Sequence, residues 1–195
     1  MPRDDDKPEQ STEFLGKPNT EPLLAEKAKV VATLIEMAFD TGIFVARSIK
    51  EDQEGLDPIR SDDNVETIEP LGAFVETAAL LLRVTDEIAF KCLSPNNRHL
   101  FIADLETLMT DKLEERGISR DEFRFILEAR YGEYAHYKNW VPDTNESTKG
   151  TLFLEYAKKM AFETGVGKNA LFNLMLSNLL LRQLRRWNIP GLLRG

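Results

Sequence analysis

The 195-residue chain has one cysteine, Cys92, and two histidines, His99 and His136. A single thiol excludes an intramolecular disulfide framework and a cysteine-built zinc site. Two imidazoles leave little for metal or acid–base chemistry, and nothing in the sequence asks for a cofactor. Eleven glycines and nine prolines exclude collagen-like and low-complexity classes. Long apolar runs are missing as well. The most apolar stretch, Ala170 to Leu181, is interrupted by Asn173, Ser177 and Asn178. It reaches about half the ~20 apolar residues that a spanning helix needs. Residues 1–20 are polar and lack the apolar segment of a signal peptide. A soluble cytoplasmic protein with a reduced thiol and no membrane contact is therefore expected.

What is present is a hydrophobic share of 42%, enough for a core, in a chain of single-domain length. Apolar residues return at three- and four-residue steps: Leu24, Ala28, Val31, Ile35, Ala38, Phe39, Val45, Ala46 and Ile49 form one buried stripe. Gly42 falls inside it and is expected to weaken or kink that helix. A second stripe runs from Leu71 to Cys92, and Leu80 and Val84 widen it, so this helix should be central. Ser94-Pro95 reads as N-cap and first helical residue of a third helix, which Gly117 should end. Ser119-Arg120-Asp121-Glu122 is a capping box opening a fourth helix to about Trp140. A fifth helix should open at Ser147 or Thr148, and a sixth should run from Lys168 to about Trp187. No period-2 segment and no fixed repeat appear.

The predicted fold is all-α, a single-domain bundle of five to seven helices. Residues 1–20 are expected as a disordered acidic tail, 21–188 as the bundle with an acidic loop at 51–69, and 189–195 as a C-terminal tail.

Charge is unevenly spread in this acidic protein of net charge −8. The 51–69 segment holds eight acidic residues against Arg60, whereas Lys149 to Gly195 holds eight basic and two acidic ones. Cations such as Arg182, Arg185 and Arg186 are favoured at a helix C-terminus. The basic end is also expected to face the acidic segment, in the same molecule or in a dimer mate.

Three groups of residues are candidate sites. Glu133 and His136, three apart on one helix, could share a metal as in di-iron bundles, but the second Glu-x-x-His unit is missing. The bland reading places His136 with Phe125, Ala129 and Gly132 at a close helix contact. Arg130, Tyr134 and Tyr137 share another face, where a guanidinium among phenols could bind an anionic ligand. The competing reading pairs Arg130 with an internal acid. Finally, Met160 to Leu174, with small Ala161, Gly165 in a turn and Val166, Leu171 and Leu174 packing inward, resembles the helix-turn-helix DNA-binding pattern. The resemblance implies that Lys168, Asn169 and Asn173, beside Phe172 and Leu176, meet nucleic acid, although the low pI of about 5.0 disfavours it. The expected function is a non-enzymatic protein-interaction module that binds a protein partner or itself, as a homodimer. DNA regulation and a ligand-binding bundle are the alternatives.

Overall fold

The helical spacing of apolar residues resolves into seven helices in a computed structural model that describes residues 21–54, 71–137 and 152–195. They are α1 (Glu21–Glu54), α2 (Leu71–Cys92), α3 (Pro95–Glu114), α4 (Arg120–Tyr134), α5 (Leu152–Glu163), α6 (Ala170–Trp187) and α7 (Ile189–Arg194). The described residues are all-α and contain no strand. Among them no helix is long and apolar enough to cross a membrane.

α2 is the axis of the bundle. From Ala73 to Leu82 every side chain is buried, because α1, α3, α4, α5 and α7 all pack around it. Its polar members are satisfied locally. Thr77 gives its only hydroxyl proton to the Ala73 carbonyl at 2.8 Å, so the fully buried Tyr156 hydroxyl, 2.8 Å away, donates to Thr77 Oγ1. Phe39 of α1 meets Phe74 of α2 edge to face at 5.0 Å, with the Arg116 guanidinium over the Phe74 ring at 4.4 Å.

α1 and α6 run antiparallel. Lys27 Nζ reaches the Leu193 carbonyl at 3.2 Å, Gln183 Nε2 reaches Thr41 Oγ1 at 2.9 Å, and Lys50 lies beside Gly165. α1 runs as one helix across Gly42. That glycine is a point of close approach: a Cβ there would stand 2.8 Å from Met160 Cε.

Caps fall where the side chains that make them stand. Ser94 Oγ and Ser119 Oγ accept from Asn97 and Glu122 N–H, each at 3.3 Å. Gly117, at φ +92°, closes the turn after α3. Several boundaries differ from expectation. α1 extends through Glu54, so the start of the expected acidic loop is helical. α4 stops at Tyr134 rather than near Trp140. The segment 189–195, expected as a tail, forms α7 up to Arg194, because Ile189 and Leu193 are buried on the bundle and Asn188 Oδ1 caps the Gly191 N–H. Residues 1–20, 55–70 and 138–151, with Ser147 and Thr148, lie outside the described residues.

Candidate functional site

The most concentrated polar chemistry lies where α4 crosses α2. Helical spacing sends Arg130 and Tyr134 to the same face of α4, and both converge on Glu76 of α2. Arg130 Nε donates to Glu76 Oε1 at 2.7 Å and to Oε2 at 2.9 Å, while its Nη2 also binds Oε1 and Tyr134 Oη donates to Oε2 at 3.2 Å. A second acid extends the network: Glu133 Oε2 accepts from Arg130 Nη1 at 3.2 Å and from Lys159 Nζ of α5 at 2.8 Å. The Glu76 side chain is only 5% exposed. Its hydrogen bond raises the Arg130 pKa against the opposing effect of desolvation. Burial first, and the Glu76 charge second, hold the Tyr134 phenol far above its ordinary range. Every member is satisfied, which is the condition under which a buried ionic group is tolerated.

This arrangement answers the anion-pocket expectation. The Arg130 fork is already filled by an internal carboxylate, and a ligand acid would have to displace it. Tyr137 is half-buried past the end of α4, where burial, with the Glu155 and Glu133 charges adding to it, raises its pKa. Glu133 faces two cations, which oppose a metal ion. His136 stands exposed with Ala129 and Gly132, and among the described residues nothing lies within 4 Å of a Cβ built on Gly132. That face of α4 is therefore solvent surface and not a helix contact, as Phe125 at 74% exposure also shows. Among the described residues no group of three acidic, histidine or cysteine side chains could hold a metal.

A neighbouring polar recess of about 270 Å³ was not legible in the sequence. Asp86 of α2 binds Arg98 of α3 through two 2.7 Å hydrogen bonds, and Glu106 and Tyr131 stand beside them. Burial, with the Asp86 charge second, raises the Glu106 pKa. The Tyr131 hydroxyl is buried with no hydrogen-bond partner among the described residues. These residues come from three helices, so no local spacing could have announced them.

The α5–α6 segment forms an αα-hairpin. Gly165 and Gly167 both take φ +70°, and the Gly167 N–H bonds the Ala161 carbonyl at 3.0 Å. Val166 is buried as the helix-turn-helix pattern has it, but along α6 the register is inverted. Leu171 and Leu174, which that pattern packs inward, are exposed, while Phe172 and Leu176, which it turns to a groove, are buried. Asn169 is spent as the α6 N-cap, accepting from Phe172 N–H at 3.0 Å. Asn173 is half-buried, and of the three candidates only Lys168 is exposed. The amphipathic face of α6 decides this, since packing its larger apolar stripe onto α1 and α5 fixes the rotation of the helix.

Among the described residues, exposed apolar side chains line one face of α1. On α1, Leu23, Val30, Met37 and Phe44 are 51, 46, 50 and 70% exposed, and they recur every seven residues. Met37 and Phe44 flank Thr41, the α1 residue that Gln183 of α6 reaches. On α6, exposed Met175 lies two turns before Gln183. Comparison with protein-family models, with curated proteins and with solved structures finds no match.

Proposed function

We propose that this chain is a non-enzymatic, self-associating helical module that forms an antiparallel twofold dimer through the outer face of α1. The observation that carries this is the seven-residue spacing of Leu23, Val30, Met37 and Phe44 on the exposed side of α1. Positions seven apart drift only ~20° around a helix, so the four side chains make a nearly straight apolar line about 30 Å long. Ordinary monomer surfaces scatter such residues singly.

The arrangement favours a second copy over an unrelated partner. An antiparallel pairing centred between Thr33 and Leu34 sets Leu23 opposite Phe44 and Val30 opposite Met37, the self-complementarity a twofold interface requires. Charge favours the same sense. Glu51 and Asp52 close the C-terminal end of α1, whereas Arg182 and Arg186 of α6 lie toward its N-terminal end. Within one copy Glu51 is about 15 Å along α1 from Thr41, in the direction away from the arginines. Across an antiparallel interface the acidic end of one copy meets the basic end of the other.

Sedimentation velocity of the full chain over a range of concentrations tests the reading. A dimer is expected. Met37→Glu with Phe44→Glu should give a monomer with unchanged helical circular dichroism, while Phe125→Glu on α4, equally exposed but isolated, should leave the dimer intact. A wild-type chain that stays monomeric at high concentration, or a dimer that survives the double substitution, refutes it.

A further inference from the structure

The geometry points to a binding site for a small amphiphilic anion, a single-chain fatty carboxylate, in the recess where α2, α6 and α7 end together. The recess measures about 330 Å³. Ile88 and Cys92 of α2, Leu181 and Leu184 of α6 and Pro190 of α7 give it an apolar wall. Its polar rim is Lys91, Arg185, Asn188 and Arg194.

Arg185 and Arg194 lead the rim, and both are donors only. Asn188 Oδ1 takes the Gly191 N–H, and the amide NH₂ adds a further donor to the rim. Such an inventory matches a ligand head that only accepts, a carboxylate, attached to an apolar body. Among the described residues neither Arg185 nor Arg194 has an acidic partner, in contrast to Arg98, Arg120 and Arg130. Helix-end electrostatics account for cations in the last turns of α2, α6 and α7. They do not account for an apolar hollow between those cations.

Size selects the tail. At about 30 Å³ for each water- or methylene-sized group, the recess holds roughly eleven of them. That is the length of a medium-chain acid, whose carboxylate would lie level with Arg185 and Arg194. The second tail of a two-chain lipid would lie outside that volume. An acidic peptide would need acceptors as well as donors for its backbone.

Cys92, half-buried in the wall, serves as the reporter. The rate of its alkylation by iodoacetamide is measured on the full chain with decanoate, decanol or decylammonium, each below its micelle concentration. Decanoate should slow alkylation severalfold, decanol less, and decylammonium not at all. Arg185→Gln should weaken the decanoate effect about tenfold, the loss of one charge-assisted hydrogen bond. Leu184→Trp, which fills the recess, should abolish it. Shifts of the Ile88 and Leu181 methyl signals on titrating decanoate into the wild type give a readout that needs no variant to fold. Protection by decylammonium equal to that by decanoate overturns the proposal, as does an unchanged alkylation rate with decanoate. Two other occupants would also displace it. Protection that rises with protein concentration alone identifies a second copy. Cosedimentation with phosphatidylglycerol vesicles that decanoate does not compete away identifies a membrane lipid.

Discussion

Two charged regions of this bundle treat their cations in opposite ways. Where α4 crosses α2, Arg130 is locked onto Glu76, Glu133 bridges Arg130 to Lys159, and Tyr134 supplies the remaining donor. Where α2, α6 and α7 end, Arg185 and Arg194 border an apolar recess without an acid among the described residues. The first is a closed account of donors and acceptors and leaves nothing for a ligand. The second is unbalanced. A buried charge that is fully paired reads as architecture, and two arginines without an acid at the rim of an apolar hollow read as recognition.

The sharpest way to break that comparison is to remove one arginine from each region. Arg130→Ala should cost about 3 kcal/mol of unfolding free energy in urea, because it strands the Glu76 carboxylate in the interior. Arg185→Ala should stay within about 0.5 kcal/mol. Similar costs for the two would erase the distinction between them.

Alkaline titration probes the paired region and the core next to it. Burial raises the phenols of Tyr131, Tyr134 and Tyr156 well above the ordinary value of 10.0. An acid whose folded pKa is raised contributes stability that is complete below its unfolded value and falls as pH climbs past it. Urea midpoints should therefore hold until about pH 10 and then drop, with tyrosinate absorbance appearing together with unfolding. Phenols that ionise while the helices persist would show that Tyr134 is not closed off by its network.

The smallest expected effect concerns Glu106, an acid that carries a raised pKa beside the Asp86–Arg98 pair. Its native-state burden is absent below its ordinary value of 4.5 and grows as pH rises through the folded value. Glu106→Gln should raise the melting temperature slightly at pH 7 and leave it unchanged at pH 4. A loss at pH 7 would mean that the carboxylate is satisfied where it stands.

Much of the fold is legible in the sequence because its signals are local. The stripe from Leu24 to Ile49, the caps at Ser94 and Ser119, and the glycine at the end of α3 act within one or two turns. Gly42 was open to misreading, since its role depends on Met160 far along the chain. The candidate site was less legible. Arg130 and Tyr134 share a helical face that spacing reveals, but Glu76 is 54 residues away, and only packing brings it there. The same limit explains His136: periodicity placed it on a face with small residues without saying whether another helix covers that face. In the Met160–Leu174 stretch, glycine and alanine spacing fits a DNA-binding hairpin as well as any other, and only the rotation of α6 separates them.

The sequence alone determined that the chain is helical, roughly where most helices begin, and that α2 is central. These follow from backbone hydrogen bonds closed within each segment and from the count of apolar residues on each face. Tertiary structure alone decided which acid meets Arg130, which leucines of α6 face water, and that the last residues fold as α7. Those outcomes depend on which faces bury the most apolar surface together, a sum over residues distant in the chain that no local pattern contains.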